Sequence, residues 1–319
     1  MTILLPLADR FQALADPTRL RILALLRIME LSVGELAQVL GQSQPRVSRH
    51  LKILADAGVL ERRKEGSWVF LTLAGEDQVE PMFAMIDCWA DSSTHALFAS
   101  DAARIESIRS ERAEAATRYF TSHADVWDQI RSLHVAESEV ERAIDGALGE
   151  RPLGRLVDIG TGTGRMIELF GPRSTRAIGI DRSSEMLRLA RVKLEAAGIS
   201  SSLRQGDMYA LPLLDCSADS VIIHQVLHYA HSPAAAIAEA ARVLGAGGTL
   251  LIVDFAAHER EELRATDAHI RLGFEDDVMA GWFASAGLAI DHVEHLKGGE
   301  LTVTLWRGSK PAERQRRAA

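Results

Sequence analysis

The chain has 319 residues, 47% of them hydrophobic, and a net charge of −8. Material for about two domains at ~150 residues each makes one compact domain the weaker reading, and the negative balance excludes a protein that coats nucleic acid over its whole surface. Cys88 and Cys216 form no CxxC pair, so neither a disulfide framework nor a zinc ribbon is signalled and a reducing cytoplasm is expected.

No stretch approaches the ~18 apolar residues needed to span a bilayer, and MTILLPLADRFQ reads as neither membrane anchor nor export signal. The charge is uneven: residues 1–78 hold 10 Lys+Arg against 9 Asp+Glu, while 41–70 hold 6 against 3. Any contact with DNA must be local to that stretch.

Asp16-Pro17 opens a helix with Leu20, Leu23 and Leu26 on one stripe. Ser32 and Glu35 have capping-box spacing, and Gly41 closes that second helix. Ser43 caps a third, SQPRVSRHLKILADAG, which ends at Gly58; VLERR and WVFLTL then flank a turn with glycine, as a hairpin does. Together they predict a winged helix-turn-helix over 1–78. In the third helix Val47, Leu51 and Leu54 form the buried stripe, which turns Ser48, Arg49 and Lys52 outward. Gln44, Arg46, Ser48 and Arg49 are placed to reach base edges in the major groove, while Arg62, Arg63 and Lys64 at the hairpin tip suit phosphates or the minor groove.

Residues 76 to about 150 carry helix formers without a strand signal and read as one or two connecting helices, with 79–120 as a linker and dimerisation segment. Within 121–308, apolar strands (RLVDIG, RAIGID, SLRQGD, DSVIIH, TLLIVDF) alternate with helices after Thr163 and over 183–197 and 233–244. Such alternation makes an α/β domain with a mostly parallel sheet covered on both faces. LAIDHVEHL and LTVTLWRG, after a helix near 277–286, predict a C-terminal antiparallel hairpin, and 309–319 a disordered tail.

The segment LVDIGTGTGR sets Asp158 at a strand end and glycines at 160, 162 and 164 before a helix, where the backbone can approach a ligand and free N–H groups face it. A GxGxxG dinucleotide fingerprint would need a third glycine where Arg165 stands. Asp181, 21 residues after Gly160, ends the next strand at the position that accepts ribose hydroxyls. Asp207 follows the third strand beside Met208, a carboxylate for an adenine amino group and a thioether for its ring. Three acids at three successive strand ends line one crevice.

The stretch DPTRLRILALL…LSVGELAQVLGQSQPRVSRHLKILADAGVLERRKEGSWVFLTL resembles the ArsR family of winged-helix repressors across about 65 residues. The resemblance implies a homodimer on palindromic duplex operator DNA, joined through the first helix and the helix after the wing. LSVGEL offers Ser32 and Gly34 where metal-sensing members place thiolates. Arsenite or zinc sensing there is not expected.

The series VDIGTGTG, GIDRSSEML, GDMYALPL, DSVIIHQVLHYAHSP and RVLGAGGTLLIVDF resembles class I S-adenosylmethionine-dependent methyltransferases over about 117–307, with a Rossmann-like fold. The resemblance implies that Gly160, Gly162 and Gly164 cradle the amino-acid part of S-adenosylmethionine or S-adenosylhomocysteine. Asp181 would hold the ribose and Asp207 with Met208 the adenine, while Asp158, Thr161, Arg182, Met186 and Gly206 complete the site. His224 and Gln225 would face the sulfonium, and RYFTSHADVWDQI resembles a mobile lid bringing Tyr119 and Trp127 near. His224, His228 and His231 stand at i, i+4 and i+7, helical spacing that could gather imidazoles about a metal; the family's VLHHLxDP pattern explains His228 without one, and no metal is expected. His224 is the candidate for proton transfer, and His258, His269 and Arg271 are candidates for the acceptor pocket. The reading is a dimeric DNA-binding regulator whose adenosyl ligand modulates operator binding and whose second domain can methylate a small molecule; its rival is a methyltransferase whose winged helix serves autoregulation or dimerisation.

Overall fold

In the computed structural model, which describes residues 5–28, 31–65, 68–74, 76–123, 136–297 and 300–312, the helix expected behind Asp16 is α2 (Pro17–Ile28), preceded by α1 (Leu5–Leu14). Asp16 Oδ1 accepts the Arg19 N–H at 3.1 Å, and the Arg19 guanidinium turns back to the carbonyls of Gln12 and Ala13, closing α1. The short strand β1 (Leu31–Ser32) leads into α3 (Val33–Leu40) through a full capping box: Glu35 N donates to Ser32 Oγ at 3.3 Å and Ser32 N to Glu35 Oε2 at 2.7 Å. Gly41, at φ 63°, ends α3 in the left-handed conformation that glycine adopts without strain. Next come α4 (Gln44–Asp56), β2 (Leu60–Glu65) and β3 (Trp68–Leu73), and β3 pairs antiparallel with both β2 and β1.

Val47, Leu51 and Leu54 are fully buried against Ile22, Leu23, Leu36 and Leu71. That core continues past residue 78: α5 (Glu76–Trp89) supplies Val79 and Phe83, and α6 (Ser92–His123) supplies Ile105. Arg21 makes a two-pronged pair with the buried Asp101 at 2.7 Å on each oxygen, fastening α6 to α2. Between α5 and α6, Asp91 accepts from the Thr94 hydroxyl and backbone and from the Ser93 hydroxyl, which holds its carboxyl down at about 2. The chain divides into two compact units, Met1–Glu114 and Ala115–Ala319.

The second unit begins, among the described residues after 135, with α7 (Glu137–Leu148), a third helix in a region read as one or two. There follow β4 (Gly154–Ile159), α8 (Arg165–Phe170), β5 (Ser174–Asp181), α9 (Ser184–Ala196), β6 (Ser202–Gln205), β7 (Ala218–His224), α10 (Pro233–Val243) and β8 (Leu244–Phe255). After a single turn, α11 (Leu263–Thr266), come α12 (Asp276–Ser285), β9 (Ala289–Lys297) and β10 (Thr302–Ser309). The sheet order is β6-β5-β4-β7-β8-β10-β9; the first five strands are parallel and β10 lies antiparallel between β8 and β9.

Strand order reverses beside β4, which opens a crevice at the carboxyl ends of β4 and β7, where open α/β sheets bind ligands. Residues 250–254 are all fully buried, as expected of a central strand covered on both faces. Of the tail expected over 309–319, residues 309–312 are described and 313–319 lie outside the described residues. Ser309 pairs with Thr249 and Ala289, while Lys310 donates from its backbone to Gly248 and from Nζ to the carbonyls of Ala241 and Leu244, capping the end of α10. No helix among the described residues is long and apolar enough to cross a membrane.

Candidate functional site

At the end of β4 the backbone turns through Gly160 (φ 72°), Gly162 (φ 53°) and Gly164 (φ 84°), a path that side chains would strain. A Cβ on Gly160 would sit 2.5 Å from Val226 Cγ2, so the glycine lets the loop after β7 lie directly against this turn. Gly160 N and Thr161 N donate to the carbonyl of Ile180 at 2.7 and 3.0 Å, and Thr161 Oγ1 donates to the buried Asp158 at 2.6 Å. Asp181 then pins the loop: Oδ2 accepts from Gly162 N and Oδ1 from Ser183 N, both at 2.8 Å. Burial raises its carboxyl above the ordinary range against the pull of the Ser183, Gly162 and Arg182 N–H groups. Ser183 caps α9 by accepting Met186 N at 3.3 Å. Arg165, where a dinucleotide fingerprint has glycine, bridges Glu141 on α7 and Glu168 on α8 at 2.7 and 2.8 Å. It is a helix clamp.

The other predicted residues fall around the same edge. Gln205 Nε2 donates to the Arg182 carbonyl at 3.0 Å while the Arg182 side chain is exposed, and Met186 is buried under α9. A Cβ on Gly206 would meet Pro212 at 2.8 Å, which keeps the turn into Asp207 tight. Asp207 Oδ1 accepts Tyr209 N at 3.0 Å, Met208 packs on the sheet core, and the Tyr209 hydroxyl lies 3.1 Å from His231 Nδ1. Burial pushes that phenol up to about 12. His224 ends β7, and Gln225 follows at φ 50°, its N–H on the Val253 carbonyl at 2.7 Å; both are buried.

The three histidines do not share a helix: His224 is on β7, His228 in the short turn Leu227–Tyr229 and His231 in the loop before α10. His228 meets a partner that the sequence reading passed over. Its Nδ1 lies 2.7 Å from Oδ1 of the fully buried Asp254, and its backbone N–H donates to Oδ2 at 3.2 Å. Asp254 is a fourth acid at a fourth strand end, a signal the TLLIVDF motif already contained. His269 stacks on Phe255 at 5.6 Å, His258 lies 6.3 Å from the same ring, and the fully buried Arg271 donates to the carbonyls of Ala230 and His231, tying down the loop that carries His228. Tyr119 belongs to α6 but its side chain lies outside the described residues, as does Trp127 entirely.

In the first unit α4 presents Gln44, Arg46, Arg49 and Lys52 exposed, with Ser48 half-buried and Arg62 exposed on β2. Lys52 pairs with Asp56 one turn on at 2.8 Å. The α4 N-terminus is preceded by Ser43, whose carbonyl accepts Arg46 N and Val47 N while its hydroxyl makes no cap bond. The side chains of Arg63 and Lys64 lie outside the described residues, though both pair through their backbone on β2.

Residues 16–62 match the bacterial regulatory protein, arsR family, and residues 157–252 match the methyltransferase domain family. An uncharacterized HTH-type transcriptional regulator of Methanocaldococcus jannaschii is 40% identical over 81 residues, 25% of this chain and 90% of that protein. The arsenical resistance operon repressor of Escherichia coli is 48% identical over 75 residues, 23% of this chain and 63% of that protein, so the chain spans less than two thirds of the repressor's length. Phosphatidylethanolamine N-methyltransferase of Cereibacter sphaeroides is 33% identical over 142 residues, 44% of this chain and 67% of that enzyme.

Proposed function

Because the chain belongs to the arsR family of bacterial regulatory proteins and carries a methyltransferase domain behind its winged helix, we propose that it is a homodimeric, cytoplasmic regulator that binds operator DNA and an adenosyl ligand. In this reading Gln44, Arg46, Ser48 and Arg49 read base edges, and Lys52 and Arg62 to Lys64 meet the backbone. Gly160, Gly162 and Gly164 receive the amino-acid part of S-adenosylmethionine or S-adenosylhomocysteine, Asp181 the ribose, Asp207 and Met208 the adenine, while His224 and Gln225 face the sulfur. S-adenosylmethionine, when bound, supplies a methyl group on a positively charged sulfur, ready for transfer to a small acceptor.

The observation that carries the reading is Asp181. One carboxylate fixes the glycine turn through Gly162 and the start of α9 through Ser183, with the Arg182 N–H as a third donor, and a carboxylate then has acceptor room for about one further hydrogen bond, which suits a ribose hydroxyl. Arg165, turned away to Glu141 and Glu168, supports an adenosyl ligand over a dinucleotide.

Calorimetry with both adenosyl forms, with and without operator DNA, tests it. Binding of either form is expected, with operator affinity shifted by about 5–150-fold between ligand-bound and ligand-free protein, and the same factor in reverse. Absence of adenosyl binding overturns the site; binding with unchanged operator affinity at fixed salt overturns the regulation.

A further inference from the structure

His228 has the environment of a proton acceptor. Its ring is 2% exposed, its Nδ1 faces Asp254 at 2.7 Å, and its Nε2 has no hydrogen-bond partner among the described residues. Asp254 is fully buried and also accepts the backbone N–H groups of His228 and Phe255 at 3.2 and 2.8 Å, so its position is set by the chain around it. A carboxylate on Nδ1 keeps the proton there and leaves the lone pair on Nε2. The turn bearing His228 follows β7, and its Val226 abuts Gly160 of the glycine loop, so the dyad and the loop belong to one edge of the sheet.

A latch explains half of this. Asp254 does hold the turn in place, but a latch uses only Nδ1 and the backbone, and a buried ring nitrogen without a partner is unfavourable unless something meets it in use. The rings of Tyr229, His269 and Phe255, with centroids 4.0, 4.3 and 5.0 Å from that of His228, give the surroundings flat, aromatic faces. A neutral imidazole does not attract an ammonium, whereas it accepts the proton of a hydroxyl.

We propose that His228, held by Asp254, is the catalytic base for methyl transfer to the hydroxyl of an aromatic acceptor; this rests on the adenosyl reading above. The acceptor oxygen bonds the methyl carbon as the carbon–sulfur bond breaks with its electron pair staying on sulfur. The hydroxyl proton passes to Nε2 of His228, Asp254 offsets the imidazolium charge, and the proton then leaves to water.

The test uses the full-length protein, labelled S-adenosylmethionine, and catechol and thiophenol as paired acceptors, since thiophenol is largely ionised at neutral pH and needs no base. His228→Asn is expected to lower catechol methylation about 100-fold or more while thiophenol methylation stays within about threefold, and the residual catechol rate should climb with pH as the acceptor ionises itself. Independently of turnover, long-range proton–nitrogen NMR of the cofactor-free protein should show His228 as the Nδ1–H tautomer, a preference weakened by Asp254→Asn. Equal losses with both acceptors, no loss with catechol, transfer to neither acceptor despite S-adenosylhomocysteine binding, or an Nε2–H tautomer overturns the inference alone. Loss of adenosyl binding by the unaltered protein instead overturns the reading beneath it.

Discussion

Replacing Asp181 with asparagine separates the two tasks assigned to that carboxylate. Its oxygens accept Gly162 N and Ser183 N. Asparagine keeps one oxygen and turns an NH2 toward the other donor, stranding an N–H at about 1–3 kcal/mol. Against this stands relief from burying a charge, since desolvation raises the Asp181 carboxyl above its ordinary value. The sign follows from linkage: between the unfolded and the higher folded pKa only the folded protein holds the proton, so this group's stabilisation is complete below the ordinary carboxylate range and is lost as pH rises through the folded value. The variant's unfolding free energy should therefore lie within about 3 kcal/mol of the parent's at neutral pH, and the parent-minus-variant difference should change with pH in that sense. Ligand affinity responds otherwise. Losing one charge-assisted bond to the ribose costs about 1.5–3 kcal/mol, roughly 10- to 150-fold in Kd. Calorimetric titration with S-adenosylhomocysteine, beside denaturant unfolding across pH, reads both quantities. Affinity unchanged within about threefold in a folded variant refutes the ribose assignment.

Three further outcomes follow from the packing. Gly160→Ala places a Cβ 2.5 Å from Val226 at φ 72°, so adenosyl binding should fall at least about tenfold, and retained affinity would show that the loop can shift; Val226→Ala in the same chain should restore part of it. Leu51→Ala, at a fully buried position in the α4 stripe, should destabilise the first unit by about 2–5 kcal/mol in chemical denaturation, and a loss below 1 kcal/mol, on the order of a surface change, would contradict the core. On DNA, Arg49→Ala should cost about 1–3 kcal/mol and relax base preference, whereas Lys52→Ala should weaken all sequences alike and lessen the slope of log K against log salt by about 0.9; fluorescence anisotropy across a salt series distinguishes them.

Much of this architecture is legible because it rests on periodicity. The stripe of Val47, Leu51 and Leu54, the capping box at Ser32 and Glu35, and the glycine run after β4 each announce one element by local spacing, and each element is present. The break between α5 and α6 is written in Asp91-Ser92-Ser93-Thr94, a capping signal that helix-forming neighbours hide. The His228–Asp254 pair is of another kind. Its members stand 26 residues apart, and they meet because β7 and β8 run parallel with His224 opposite Val253, a register no local pattern reports. Gln225 at φ 50° then turns the chain so that His228 leaves the helical spacing it has in sequence. The same limit applies to Arg271. Its side chain is fully buried and donates to the carbonyls of Ala230 and His231, about 40 residues earlier in the chain, a contact that no local pattern reports.

The glycine turn and Asp181 cannot by themselves distinguish a sensor from an enzyme, since both must hold the adenosyl group. A base can, because a sensor has no proton to move. If the domain only reported ligand occupancy, a leucine or methionine at 228 and any strand residue at 254 would pack as well, without burying a carboxylate and an imidazole nitrogen in the same few ångströms. Asp254 lies in the middle of an otherwise apolar strand end, between Val253 and Phe255, both buried. Exchanging the dyad for an apolar pair, His228→Leu with Asp254→Val, therefore poses the question directly. A pure sensor should keep adenosyl affinity and ligand-dependent operator binding and gain or hold stability, as buried polar groups replaced by packed apolar ones often do. An enzyme should keep those properties and lose catechol methylation, while thiophenol methylation persists. Unchanged catechol turnover in this double variant would remove the base from the account while leaving methyl transfer in place, whereas no turnover in the parent chain would leave regulation as the domain's only supported role.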